Sequence, residues 1–214
     1  FQVLESVAWA DDSVKQKYYT IYDDIEFLKR KSKRRVGYEI NIVNPTTFNE
    51  KLQWLKVNDR NPEYTRMVDK HEFKLYVEEV LGKGYTIPTL GLYDTVDEIE
   101  WDKLPEKFVL KCTHDSGSIV ICKDKKQFDI DAAVKKLESG LKGNYYWASR
   151  EWPYRNVKPR VIAEEYMEDA RGEIIDYKFL CYRGTCKYVF TCTERFAEKG
   201  LKVTFFDREW NKLS

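Results

Sequence analysis

The chain has 214 residues, 43% of them hydrophobic and 15% aromatic, enough to bury a real core in one large domain or two small ones, which excludes a disordered or low-complexity segment. Its 37 Lys and Arg against 36 Asp and Glu leave a net charge of +1, so no global field favours nucleic acid or an anionic membrane and any anion site must be local. No apolar run approaches the roughly 20 residues that a membrane-spanning helix needs.

Five cysteines (Cys112, Cys122, Cys181, Cys186 and Cys192) form no C-x-x-C pair. Four of them sit in strand-like runs, where a free thiol behaves as a small buried hydrophobe, so neither a zinc site nor a disulfide framework is expected and the compartment is read as a reducing cytosol. The sequence opens on Phe1, and the weak Ala8-Trp9-Ala10 cleavage-like site has no basic leader, so the start reads as a truncated N-terminus.

In chain order, Tyr18, Ile21, Tyr22, Ile25 and Leu28 recur at helical spacing and predict an amphipathic helix that ends in the basic tract KRKSKRR, residues 29–35, which is either a dock for a phosphate-rich partner or, as taken here, a solvated helix end. Thr47 and Glu50 make a capping box that starts a second helix, its first turn stapled by Phe48 and Trp54 or their neighbours. Asp69, with Glu72 three residues on, caps a third helix with Phe73, Tyr76, Val77, Val80 and Leu81 on one face and Gly82 at its end. Pro88 forces an extended run over residues 89–93, and residues 94–104 read as an acidic linker.

Residues 108–112 and 118–122 read as a hairpin with a polar, Gly-containing tip. Ile130, Ala133, Val134, Leu137 and Leu141 then mark another amphipathic helix, opened by an aspartate. The aromatic, basic stretch 143–159 is too irregular for a helix or strand and is expected to be a self-packed loop. Strands follow at 160–167, 174–182 and 187–193, the last two turning at Arg183-Gly184, with a further one at 203–206.

Chemistry points first to Lys111, which interrupts an apolar strand and needs an anion or water. It is either an edge-strand lysine that guards against aggregation or a ligand contact. The adjoining His114, Ser116, Gly117 and Ser118 supply successive backbone N–H groups and two hydroxyls, a loop able to wrap a phosphate. Glu164, Glu165, Tyr166 and Met167 end an apolar strand whose main-chain edge can pair an adenine, or they are simply a strand end capped by charge. Asp176 and Lys178 share one face of the next strand, as ribose and phosphate contacts or as a salt bridge. Asp129-Ile-Asp131 has the Asp-x-Asp form of a sugar-nucleotide glycosyltransferase, but it opens a helix, and N-terminal capping explains it better.

In order, Asp69-Lys70, Ile87-Pro88, Phe108 to Ser118, Val161 to Met167 and Asp176 to Gly184 resemble the landmarks of ATP-grasp enzymes. The detail is most similar to the TupA-like branch linked to teichuronopeptide and other cell-surface polysaccharides. The words that carry it are Thr47-Phe-Asn-Glu-Lys-Leu-Gln-Trp-Leu-Lys56, Phe108-Val-Leu-Lys-Cys-Thr-His-Asp-Ser-Gly-Ser118, Arg150-Glu-Trp-Pro-Tyr154 and Ile175-Asp-Tyr-Lys-Phe179.

The resemblance implies an α+β fold: a helical N-terminal region with a pre-ATP-grasp segment (1–104), a lid subdomain (105–167) and the start of an incomplete C-terminal subdomain (168–214), both with antiparallel sheets. It implies ATP and Mg2+ as cofactors, a carboxylate substrate, and a carboxylate-amine ligase, with a glycosyltransferase or an inactive nucleotide-binding fragment as rivals. Lys70 matches the family's early phosphate lysine and Lys111 the lysine on the lid's first strand. Glu164 matches the hinge acid, Tyr166 and Met167 the adenine reader, and Asp176 or else Glu173 the ribose acid; Lys178 and Arg195 are further phosphate candidates. The acidic magnesium ligands of late strands are expected beyond Ser214, which would leave this chain without its metal site and inactive.

Overall fold

The structure, a computed structural model, describes residues 21–170, 172, 174–194 and 200–213. They fall into two compact units, one running to Tyr166 and one from Met167. Glu173 and Arg195, and the start of the first predicted helix with Tyr18, lie outside the described residues.

Among the described residues, the first unit begins with helix α1 (Ile21–Val36), whose last turn carries Lys33, Arg34 and Arg35, cations that complement the negative helix C-terminus. Helix α2 (Phe48–Asn58) starts at the predicted capping box: Thr47 accepts from the Glu50 N–H and Glu50 reaches back to the cap. Phe48 is 61% exposed, so the box rather than a hydrophobic staple fixes this start. Leu28, Ile40, Ile42 and Val57 form a small core between α1, α2 and their connection.

Helix α3 (Glu63–Val68) leads into α4 (Lys70–Leu81), where Asp69 accepts from the N–H groups of His71 and Glu72. Gly82, at φ 86°, ends α4 in a conformation that suits glycine.

Four strands form one antiparallel sheet in the order β1-β4-β2-β3: β1 (Thr89–Tyr93), β2 (Phe108–Cys112), β3 (Ile119–Cys122) and β4 (Val161–Glu165). Alternation decides what each face does. Phe108, Leu110 and Cys112 of β2 and Val161 and Ala163 of β4 point into the main core, which Leu137 of α5 (Ile130–Lys142) closes from above. Burying Leu110 and Leu137, both fully enclosed, stabilises the fold by about 2 kcal/mol each. Val109, Lys111, Ile162 and Glu164 take the opposite face.

Two stretches differ from their sequence reading. Residues 94–104 are no mere linker: two 3-10 turns, Val96–Glu98 and Trp101–Lys103, drive Val96, Ile99 and Leu104 into the main core. Residues 143–159 contain a capped helix α6 (Tyr145–Ser149) and a 3-10 turn (Trp152–Asn156). Asn144 caps α6 by accepting from the Tyr146 N–H, and Arg150 leaves it in the left-handed region at φ 57°. The fixed point is Asp24 of α1, 1% exposed, which accepts from the Tyr146 hydroxyl at 2.7 Å and pairs with Arg150 at 2.9 Å.

The second unit is an antiparallel meander of β5 (Asp176–Tyr182), β6 (Thr185–Thr193) and β7 (Lys202–Asp207), with the predicted turn at Arg183 and Gly184 at φ 49° and 74°. Among its described residues Val189 and Cys192 are buried, and Phe190 packs on Phe205 with ring centroids 5.1 Å apart. The chain is therefore α+β with antiparallel sheets. Among the described residues, no helix is long and apolar enough to cross a membrane.

Candidate functional site

The β2–β3 turn is laced to its neighbours before it offers anything to a ligand. The Lys70 N–H donates to the Thr113 carbonyl at 3.1 Å, and the Thr113 N–H donates to the Arg160 carbonyl at 2.9 Å, so the start of α4, the turn and the approach to β4 meet at one point. Arg160 reinforces the junction with bonds of 3.1 Å to both Asp69 and Glu72. The Lys70 ammonium donates to the carbonyl oxygens of Cys112 at 2.8 Å and Asp115 at 2.5 Å. Burial pushes its pKa down, partly offset by the Asp115 charge.

Lys111 has the anion it needs within the fold. Its ammonium pairs with Glu164, whose other oxygen lies 2.5 Å from Lys74 of α4. The Glu164 side chain is 3% exposed against 23% for Lys111, so the carboxylate is the buried hub and the lysine stands at its solvent edge. Lys111 is thus no bare edge-strand lysine; β2 lies inside the sheet between β4 and β3.

Lys70, Lys111, Ser116, Gly117 and Ser118 line one cleft of about 400 Å³, together with Asp115 and Tyr154. Ser116 and Gly117 are exposed at its rim, and Gly117, at φ 130°, bends the turn where a side chain would be strained. Ser118 donates its hydroxyl to Asp115. His114 does not line this cleft. It is 1% exposed, and its Nε2 lies 3.2 and 3.1 Å from the Gly140 and Gly143 carbonyls, so it anchors the turn to the end of α5. Gly140 permits that approach: a Cβ there would sit 2.8 Å from Cys112 Sγ and collide with Ser118.

The other predicted residues lie elsewhere. Glu165 is exposed, with its N–H donating to the Pro88 carbonyl at 3.1 Å. The Tyr166 ring has the Lys107 and Lys123 ammoniums each 5.7 Å from its centroid, and Met167 is 45% exposed. In the second unit, Asp176 and Lys178 pair along one strand at 2.7 Å, as their shared face allows. Asp129 accepts from the Ala132 N–H at 2.9 Å, the capping place its position on a helix suggested.

Sequence reasoning passed over Lys74, Tyr154 and Asp115. Lys74 follows Lys70 by four residues and so shares its helix face, a spacing that flags it. Tyr154 and Asp115 carry no such local signal.

Two lysines, Lys70 and Lys111, and the glycine-bent turn at Ser116 and Gly117 therefore line one cleft. The TupA-like ATPgrasp family model matches residues 50–214, and the chain belongs to that family. No curated protein and no solved structure matches it. Membership gives the chain a nucleotide-binding, ligase-like role in a family that generally binds ATP and Mg2+. Among the described residues, no group of three or more His, Cys, Asp or Glu is arranged to hold a metal ion, so no step is assigned to one.

Proposed function

We propose that the cleft beneath the 115–118 turn holds the phosphates of ATP, and that the protein serves as the ATP-binding part of a carboxylate-amine ligase in cell-surface polysaccharide synthesis. The observation that carries the reading is the convergence of Lys70 and Lys111, from a helix start and a strand, on one cleft under a serine-glycine turn. In such a ligase a carboxylate oxygen attacks the γ-phosphorus, ADP leaves, and an amine displaces phosphate from the acylphosphate to give an amide. Lys70 and Lys111 offset negative charge on the transferring group, and the turn's N–H groups receive its oxygens. Glu164 fixes where the Lys111 ammonium stands, and the carbonyls of Cys112 and Asp115 fix Lys70. Tyr166 supplies an adenine edge in the same proposal, which places the protein in the cytoplasm with a carboxylate as second substrate.

The test is ATP affinity by calorimetry. Lys111→Ala is expected to weaken binding at least tenfold with the fold retained, because Lys74 keeps Glu164 paired. Unchanged affinity overturns the assignment.

A further inference from the structure

The basic tract of α1 does not simply face water. Lys31 and Lys56, 25 positions apart, send their ammoniums to successive carbonyls at the end of α6: Lys31 donates to Ala148 at 2.7 Å and Lys56 to Ser149 at 3.0 Å. With Arg35, and with Ser32, Asn49 and Gln53, they line a pocket of about 120 Å³, room for roughly four waters or one solvated oxyanion. One acid approaches, Glu151 at 3.8 Å from Lys56, and Arg35 has no acidic partner among the described residues. Burial and then the charge of Arg35 lower the Lys31 pKa, and burial lowers that of Lys56, each partly offset by the charge of Glu151. Three cations against one carboxylate leave an excess that a dianion matches.

This pocket borders a larger one. Gln53 and Lys56 also line a groove of about 490 Å³ whose walls include Leu52, Leu55 and Pro153. At its other end Val68 and Tyr154 line both that groove and the Lys111 cleft. Three adjoining pockets therefore link the basic pocket to the proposed phosphate-transfer site, the middle one lined by Leu52, Leu55 and Pro153 and by the acids Asp59 and Glu151.

We infer that this run of pockets takes the second substrate of the ligase, a phosphate ester whose phosphate sits among Lys31, Arg35 and Lys56 and whose apolar or ring-bearing body lies along Leu52 and Leu55. The inference rests on the nucleotide reading only for the direction of the reacting end; the phosphate pocket stands without it. Its far placement suits binding energy that positions a substrate while taking no part in the chemistry.

The test titrates the full chain with inorganic phosphate and with phenyl phosphate, followed by backbone amide shifts and calorimetry. Both ligands are expected to shift the amides of Ser32, Asn49 and Gln53, and to bind at least fivefold more weakly to Arg35→Gln and Lys31→Gln. Phenyl phosphate is expected to bind at least threefold more tightly than phosphate, an advantage that Leu52→Ala removes. Lys111→Ala leaves the phosphate-induced shifts of the Ser32, Asn49 and Gln53 amides unchanged, and Arg35→Gln leaves ATP affinity unchanged. If ATP affinity is insensitive to Lys111→Ala while the Arg35 effect holds, the nucleotide assignment alone falls. Shifts that ignore Arg35 and Lys31, or a phenyl ring that adds nothing, overturn the inference.

Discussion

Glu164 and Lys111 sit diagonally across β4 and β2 and form an ion pair with the carboxylate buried and the ammonium at the edge of the cleft. Lys74 holds the second carboxylate oxygen, so one acid orders two lysines. Replacing it by Glu164→Gln leaves two ammoniums facing each other with no counter-charge, and removing one partner from a buried pair costs about 3 kcal/mol or more. Lys111→Met leaves the carboxylate paired and costs about 1 kcal/mol or less. Urea unfolding of the two variants is expected to separate them in that order; equal losses contradict the hub arrangement.

Gly140 sets how closely α5 approaches the turn. In an ordinary helix interior, Gly→Ala gains about 1 kcal/mol. Here the added methyl meets Ser118 and lies 2.8 Å from Cys112 Sγ, and overpacking of this kind costs about 1–3 kcal/mol. The clash wins, so Gly140→Ala is expected to lower stability by about 1 kcal/mol and, by displacing Ser118, to weaken ATP binding. A stabilised variant with unchanged affinity shows that the turn yields freely.

What the sequence disclosed and what it withheld divide along contact range. Thr47 with Glu50, Asp69 with Glu72, and the 108–122 hairpin were legible because cap and turn chemistry acts within four residues. The ordered turns of 145–156 were not. Their anchor, Asp24, lies 122 positions from Tyr146 and gives no local sign. The partner of Lys111 was hidden for the same reason: Glu164 is brought to it by the register of β2 against β4, which no pattern within either strand specifies. His114 read as a loop residue ready for a ligand, and only the packing of α5 shows that it faces inward.

The five free cysteines differ sharply in environment. Burial pushes the Cys112 thiol up to about 11 and also raises Cys122, while Cys181 is exposed. The thiolate is the reactive form, so at neutral pH iodoacetamide is expected to label Cys181 about a hundredfold or more faster than Cys112. Peptide mass spectrometry reads the order directly, and denaturant abolishes it. Early labelling of Cys112 contradicts the packing of Leu137 and the turn against β2.

Glu50 ties the α1–α2 connection together. Its carboxylate accepts from the N–H groups of Thr47 at 3.0 Å, Asn41 at 2.9 Å and Thr46 at 2.9 Å, and from the Thr46 hydroxyl. Those bonds, the Thr47 N–H foremost, lower its pKa from 4.5 to about 2. Because the folded value lies below the ordinary one, the contribution to stability is complete above about 4.5 and is lost as pH falls toward about 2. The melting temperature is therefore expected to fall across that window. Glu50→Gln should lower it at pH 7 and flatten the slope between pH 4.5 and 2, so that variant and parent converge in acid. Parallel curves over that range show that the carboxylate bonds equally well when protonated and contradict its place as the charged centre of the connection.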